Sequence, residues 1–266
     1  MAEVAIRVGL NLQPGQDLFL TAPLAALPLV RRIAEHAYRA GAGIVTPMFS
    51  DEEMTLARYR YAADASFDKA PAWLYKGVAE AFSANTARLA IVGDNPMLLA
   101  NEDPAKVGRA SKANSLAYQP ALEKIAGFDI NWNILAYPSA AWAKQVFPDD
   151  AEEVAVGKLA EAIFSASRID QADPVAAWAA HNAALRARRD WLNGQRFASL
   201  HFTGPGTDLT VGLADGHDWQ GGASPAKNGI VCNPNIPTEE VFTTPHARRV
   251  EGHVSSTKPL SYQGSL

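Results

Sequence analysis

The hydrophobic pattern of the chain changes near residue 194. Before this point, short apolar runs alternate with longer segments in which apolar residues recur every three or four positions, the spacing of helices with one buried face. After it, short β-prone runs are separated by glycine, proline, asparagine and aspartate, which favour turns. The pattern predicts an α/β N-terminal domain over residues 1–194 and a β-rich second domain over residues 195–266.

The first region predicts successive strand, helix and strand units. The segment 25–40 has helical spacing and ends at Gly41, and the apolar run 43–49 that follows is typical of a buried strand. The N-terminal runs VAIRVGLNL and DLFLTAP fit two strands, or a helix and a strand, equally well. Because strands joined through a helix run parallel, we expect a βαβ-type domain with a parallel or mixed sheet. The other predicted elements are helices at 51–67, 71–85, 104–127, 139–147, 151–169 and 174–194, and strands at 88–96 and 128–138.

Two adjacent carboxylates near the C-terminal end are the most conspicuous candidate chemistry. Glu239 and Glu240 stand in the stretch NPNIPTEEVFTT, residues 233–244, which contains Pro234 and Pro237. Proline restricts its own φ angle and favours extended geometry in the residue before it, so the stretch predicts a strand entered from a rigid loop. Neighbouring side chains on a strand point to opposite faces. We therefore expect one glutamate to face a site while the other caps, pairs or meets solvent.

Composition and charge exclude several classes of protein. With 48% hydrophobic and 20% charged residues, the sequence is that of a globular protein. A net charge of −4, without a cluster of lysine and arginine, predicts that the protein has no nucleic-acid partner. No window approaches the roughly 20 apolar residues that cross a bilayer, and the N-terminus lacks a signal-peptide pattern. These features predict a cytoplasmic protein that does not associate with a membrane.

Cysteine and histidine give little support to other kinds of site. Cys232 is the single cysteine, which excludes an intrachain disulfide and a thiolate zinc cage, and we interpret it as a small buried residue beside a strand. His217, His246 and His253 do not form a compact pair with a carboxylate on one predicted element, so their spacing does not indicate a metal site. His181 lies on a predicted helix, where a core or surface role is more common than ligation.

The loop GPGTD at residues 204–208 has two interpretations. A glycine-rich loop binds phosphate when it leads from a strand into a helix N-terminus, where the first amides are free. Here the β-prone run TDLTVGL follows, and no lysine stands at the position expected in a phosphate loop, which favours a turn between two strands. A ligand-binding α/β protein that uses this loop for an anion is the alternative hypothesis.

Several longer phrases carry a resemblance to known proteins. They are AIRVGLNLQPGQ, AYRAGA, WAKQVFP, DPVAAW-AHN, FTGPG with TDLTVGL, NPNIPTEEVFT-P and VEGHV-STKPLS. Together they resemble the metal-dependent aminopeptidase T and S family, in that family's order and with compatible spacing. The resemblance covers essentially the whole chain.

This resemblance implies a cytosolic exopeptidase that removes N-terminal residues from peptides, with two divalent metal ions, cobalt or zinc, in the complete active site. It also implies a homodimer. The second glutamate of the family's PTEEVF motif is a metal ligand and corresponds to Glu240, whereas Glu239 is not carried over in that role. The assignment agrees with the argument from strand alternation. Residues 195–266 would then begin the metallopeptidase catalytic domain.

Members of the family extend well beyond the position of Leu266, and their remaining ligands and general base lie in that extension. We therefore expect this chain to be a truncated amino-terminal portion that is inactive alone, because a single carboxylate binds a divalent ion weakly. The alternative hypothesis is a non-catalytic folded module that provides a cleft wall and dimer contacts. Trp142, Trp178 and Trp191 lie on predicted helices, where tryptophan packs in cores and also serves interfaces.

Overall fold

A computed structural model describes residues 1–256 and shows an α/β protein with a parallel sheet and smaller antiparallel sheets, which confirms the predicted fold class. The helices are α1 (Ala2–Val4), α2 (Leu27–Arg39), α3 (Glu52–Tyr61), α4 (Ala72–Ser83), α5 (Pro104–Ala126), α6 (Ala140–Val146), α7 (Glu152–Ala166) and α8 (Pro174–Gln195). The strands are β1 (Leu18–Pro23), β2 (Val45–Ser50), β3 (Ala87–Val92), β4 (Trp132–Ala136), β5 (Ser199–Gly204), β6 (Thr207–Leu213), β7 (Gln220–Gly221), β8 (Ser224–Pro225), β9 (Val231–Cys232), β10 (Asn235–Ile236), β11 (Val241–Phe242) and β12 (Pro245–Val254).

The parallel sheet has the strand order β10-β4-β3-β1-β2. Its neighbouring strands all pair in parallel, which confirms the predicted strand, helix and strand units. The chain places β2 on one side of β1 and then β3 on the other side, so the direction of strand addition reverses after β2. The carboxyl ends of the five strands meet at one edge, where open α/β sheets bind ligands.

Helices cover both faces of the parallel sheet. Successive residues of β1 point to opposite faces, as the period of a strand requires. On one face, Leu20 packs with Ile33 of α2 and with Leu10 of the N-terminal segment, and all three are fully buried. On the other face, Phe19 meets Phe82 of α4 edge to face, with ring centroids 6.1 Å apart. The hydrophobic core therefore consists of two layers with the sheet between them.

The N-terminal apolar runs form a helix followed by a strand, one of the two arrangements that the sequence allowed. α1 continues into a π-helical segment, Ala5–Leu10, which ends at Asn11 in the left-handed conformation with φ 48°. β1 then lies within the run DLFLTAP. Val4 packs with Trp178 and Ile236, whereas Ile6 packs in the cluster of Leu10 and Leu20, so this segment is buried on two sides.

β2 is an edge strand and not the buried strand expected at residues 43–49. Ile44 exposes 63% of its surface and Phe49 37%. An apolar run alone does not distinguish an interior strand from an edge strand, because the difference depends on which neighbours pair with it. Pro47 in the middle of β2 was the sequence signal for an edge, since proline has no N–H to donate to a second neighbour.

The chain divides into two compact units. The first consists of Met1–Ala180 and Ala223–Thr238, and the second of His181–Gly222 and the chain from Glu239 onward. The chain passes from the first unit to the second inside α8. It then returns to the first unit for one segment and enters the second unit again. The boundary at residue 194 stays a prediction.

β5, β6 and β12 form a three-stranded antiparallel sheet in the order β12-β6-β5. The loop at 204–206 joins β5 to β6 as a hairpin, with Gly206 at φ 71°. Because strand β6 follows directly, the turn interpretation is confirmed and the loop lacks the helix N-terminus that binds phosphate. The predicted β-rich run SYQGSL lies outside the described residues. Among helices within residues 1–256, none is long and apolar enough to span a bilayer.

Replacing Gly93 with alanine is expected to destabilise the protein by about 1–3 kcal/mol, the usual cost of overpacking a core. Gly93 is buried directly after β3, and a Cβ there would overlap the carbonyl oxygen of Tyr137. The measurement is the free energy of unfolding in urea. Gly77→Ala is the matched control, because nothing lies within 4 Å of a Cβ at this exposed position of α4. Alanine there is expected to add up to about 1 kcal/mol of stability; an equal loss in both variants would contradict the steric argument.

Candidate functional site

The carboxylate pair follows a segment that is anchored to the parallel sheet. Asn233 is 1% exposed; its N–H donates to the carbonyl of Gly9 at 2.9 Å, and its own carbonyl accepts from Nδ2 of Asn133 at 2.7 Å. The carbonyl of Pro234 accepts from the N–H of Ile134 at 2.7 Å. β10 then pairs in parallel with β4. The main chain therefore has a fixed path to the end of β10.

Asn133 is a residue of this anchor that the sequence analysis did not identify. It is fully buried on β4, and Gly9 approaches it so closely that a Cβ at Gly9 would lie 2.7 Å from its Cγ. Its Oδ1 has no hydrogen-bond partner within the described part of the chain. The signal was an asparagine inside an apolar strand, because a buried polar side chain needs a partner. Here Asn233 is that partner.

Glu239 and Glu240 lie between β10 and β11 and not inside a strand. β10 ends at Ile236, and β11 covers only Val241–Phe242, because its partner β7 is two residues long. The predicted strand is therefore shorter than expected. Strand alternation does not decide which way the two glutamates point.

Glu239 lies beside His181 of α8. Nε2 of His181 is 3.6 Å from a carboxylate oxygen of Glu239, and the side chains are 11% and 61% exposed. This places a mostly buried imidazole against the carboxylate that precedes Glu240. The sequence interpretation of His181 as a core or surface residue missed this contact. The signal was its place in the phrase DPVAAW-AHN, which belongs to the family resemblance.

Glu240 is exposed, and the main chain directly after it is held in β11. Gly221 of β7 permits the close approach, because a Cβ there would lie 2.8 Å from the carbonyl oxygen of Glu240. Oγ1 of Thr243 donates to the carbonyl of Asp218 at 2.9 Å. The backbone is thus tied down just after Glu240, while the residue itself remains accessible to solvent and to ions.

The described residues supply only part of a metal site. His217 contacts a main-chain carbonyl, His246 accepts from a main-chain N–H, and His253 lies on β12. Within residues 1–256, no group of three or more histidine, cysteine, aspartate and glutamate side chains lies close enough together to hold a metal ion. An exposed carboxylate is a suitable ligand for a metal ion. Glu240 is such a carboxylate, and the other metal ligands are not found in this portion of the chain.

Cys232 is expected to resist alkylation in the folded protein. It is fully buried on β9, and burial raises the pKa of its thiol from 9.0 to about 11. The thiolate fraction at neutral pH is therefore about a hundredfold lower than for an ordinary thiol, and the thiolate is the nucleophile. Iodoacetamide labelling followed by mass spectrometry is expected to modify the denatured chain and to leave the native chain unmodified. Equal labelling of both would contradict the burial.

The whole chain, residues 1–266, matches the model of the thermophilic metalloprotease (M29) family, and the chain belongs to that family. Aminopeptidase T from Thermus thermophilus is 54% identical over 266 residues, which are 100% of this chain and 65% of that relative. Aminopeptidase 2 from Geobacillus stearothermophilus is 43% identical over 265 residues, or 64% of its own length. The solved structure of wild-type AmpT from Thermus thermophilus matches with a TM-score of 0.92 and 54% identity, covering 97% of this chain and 64% of that one. The resemblance drawn from the sequence is confirmed, and the chain spans just under two thirds of the length of these relatives.

Proposed function

We propose that this chain belongs to a metal-dependent aminopeptidase that removes N-terminal residues from peptides. The observation that carries the proposal is Glu240, an exposed carboxylate at a motif of the metalloprotease family, with main chain tied down on both sides. Its identification as a metal ligand rests on its place in the PTEEVF motif. Glu239, which lies beside His181, supports the site as a neighbouring residue and is not itself a metal ligand.

In this proposal Glu240 contributes negative charge and oxygen lone pairs to a site for two divalent ions, cobalt or zinc. Bound ions of this kind polarise a scissile carbonyl and lower the pKa of a water. The contribution of this chain is to order the main chain on both sides of Glu240, which reduces the conformational entropy that is lost when an ion binds. The anchor at Asn133 and Asn233 before the pair, and β11 after it, provide that order.

The residues described here are expected to turn over no peptide alone. They supply Glu240 and, within residues 1–256, no cluster of further ligands. A catalytic metal needs about three protein ligands and an open position. The isolated 266-residue chain is therefore assayed with a leucyl chromogenic substrate and cobalt; hydrolysis that EDTA abolishes would contradict this part of the proposal.

The aminopeptidase activity itself is tested in a chimera that has the full length of a relative. The chain is joined to the portion of Thermus thermophilus aminopeptidase T that it does not cover, which is about a third of that relative. We expect cobalt- or zinc-dependent hydrolysis of leucyl and peptide substrates, inhibited by EDTA. A chimera that folds, binds metal and hydrolyses no peptide would refute the proposed function.

The proposal includes a homodimer in the cytoplasm. Large apolar side chains on the first unit support an interface, since Ile44, Tyr61 and Trp73 expose 63%, 82% and 77% of their surfaces. A single cysteine is compatible with a reducing compartment. Sedimentation equilibrium is expected to give twice the mass of one chain; a monomer at all concentrations would argue against the dimer and leave the activity unaffected.

A further inference from the structure

A cleft of about 650 Å³ lies between α3 and α5 in the first unit. Its lining includes Phe49 at the end of β2, Leu99 in the segment after β3, and the polar side chains of Arg58, Tyr59 and Asn114. The volume is in the range of sites that take small molecules and short peptides, and a mixed apolar and polar lining is usual for them.

The position of the cleft in the fold favours a ligand. Its walls come from the elements that follow β2 and β3, the two strands on either side of β1. Open α/β sheets bind ligands outside the carboxyl ends of their strands, and both walls follow such ends. The main-chain N–H of Asn95, after β3, donates to the carboxylate of Glu52 on α3 at 2.8 Å. The two walls are therefore joined.

The cleft has one negative and one positive side chain, and both are held in place. Oδ1 of Asp51 accepts from the N–H of Met54 at 2.8 Å, as an N-cap. Nη2 of Arg58 donates to the carbonyls of Ser66 and Lys69 at 2.7 and 3.0 Å. These bonds engage one oxygen of Asp51 and one nitrogen of Arg58. The guanidinium also lies 5.6 Å from the ring centroid of Phe67, which covers one of its faces. The other oxygen of Asp51 and the remaining N–H groups of Arg58 are the atoms that a ligand would contact.

The spacing of the two residues selects the length of the ligand. Asp51 is the N-cap of α3 and Arg58 lies seven positions later, so their Cα atoms are about 10 Å apart at 1.5 Å per residue. An extended peptide covers about 3.5 Å per residue. Two or three residues therefore span the distance, whereas the two charges of a free amino acid do not.

The charges also select the chemistry of the ligand. A carboxylate and a guanidinium at opposite ends suit a molecule with an ammonium at one end and a carboxylate at the other. The macrodipole of α3 opposes this arrangement, but less strongly than a charge-assisted hydrogen bond favours it. Direct contact with the charges therefore decides the orientation. Tyr59 also lines the cleft, and desolvation raises the pKa of its hydroxyl.

We propose that this cleft binds peptides of two or three residues with free termini, with the α-ammonium at Asp51 and the terminal carboxylate at Arg58. The choice of peptides over other zwitterions of this length rests on the proposed function. Binding itself needs neither the metal site nor turnover. All the residues that line the cleft belong to the first unit.

The test is isothermal titration calorimetry of the 266-residue chain in EDTA, so that no hydrolysis consumes the probe. The probes are leucine, dileucine, trileucine and N-acetyl-dileucine amide, and the variants are Asp51→Asn, Arg58→Gln and Arg60→Gln. Asparagine is as good an N-cap as aspartate, so Asp51→Asn removes the charge and keeps the helix start. Arg60 is exposed on the same helix and does not line the cleft, so its variant controls for the change in net charge.

We expect saturable binding of dileucine or trileucine, with leucine and the capped peptide weaker by at least about tenfold, or 1.4 kcal/mol. Asp51→Asn and Arg58→Gln are each expected to weaken binding by a similar factor, and Arg60→Gln to leave it unchanged. If Arg58→Gln disturbs the fold through the carbonyls that it releases, Asp51→Asn decides alone. Absence of saturable binding, equal affinity for the capped peptide, or an unchanged affinity in Asp51→Asn overturns the proposal. None of these outcomes depends on the chimera being active.

Discussion

Glu240→Gln is expected to remove metal-dependent aminopeptidase activity from the active chimera. Glutamine keeps the size of the side chain and one carbonyl acceptor but removes the charge that a divalent ion requires from its ligand. Loss of a residue that only supports a ligand lowers metal affinity or activity by about 10–100-fold, so loss of the ligand is expected to exceed about 100-fold. The measurements are kcat/KM with leucyl p-nitroanilide and the apparent affinity for cobalt.

Glu239→Gln is the matched control, since it makes the same chemical change one residue earlier. It weakens the contact with His181, whose Nε2 lies 3.6 Å away, and is expected to cost no more than the 10–100-fold loss of a supporting residue. Glu239 is 61% exposed, so water solvates the amide that replaces its carboxylate. An inactive Glu239→Gln beside an active Glu240→Gln would reverse the two roles.

Trp178→Ala is expected to destabilise the protein by about 3–5 kcal/mol, the range for removing a buried large aromatic side chain. Trp178 is fully buried with Val4 and Ile236, and its Nε1 donates to the carbonyl of Ser167 at 2.8 Å. The variant loses both this packing and this hydrogen bond. Urea unfolding followed by far-UV circular dichroism measures the effect.

Trp191→Ala is the control on the same helix. Trp191 is 59% exposed and meets one other ring, Phe197, with the centroids 6.0 Å apart. We expect a loss below about 1.5 kcal/mol, the size of one aromatic pair. If the two substitutions cost the same, the burial of Trp178 is not what stabilises this part of the fold.

The regular elements of the parallel sheet were predictable from local pattern. Helical spacing identified α2, and helices predicted at 51–67, 71–85 and 104–127 correspond to α3, α4 and α5. The position of each strand in the sheet was not predictable, because burial depends on the neighbours that pair with it. β2 is an example, because its apolar run predicts an interior strand and only Pro47 indicates an edge strand.

The candidate site was predictable only to the level of one segment. The prolines predicted a loop that leads into a strand bearing Glu239 and Glu240, whereas the strand β10 comes first and the two glutamates follow it outside any strand. Spacing along the chain does not reveal contacts between distant positions, so the anchor at Asn133, which is 100 positions from Asn233, was missed. The same reason hid the contact of His181 with Glu239. The identification of Glu240 as a ligand came from the family motif and not from geometry.

The fifth strand has a consequence for how the protein is made. β10 pairs with β4 only after roughly a hundred intervening residues have been synthesised, as the separation of Asn133 and Asn233 shows. Pairings between distant positions are slow because the connecting chain must be closed first. During translation, one edge of β4 therefore remains unpaired while the ribosome begins to synthesise the second unit. Insertion of β10 closes that edge, and the same event fixes the main chain that leads to Glu240.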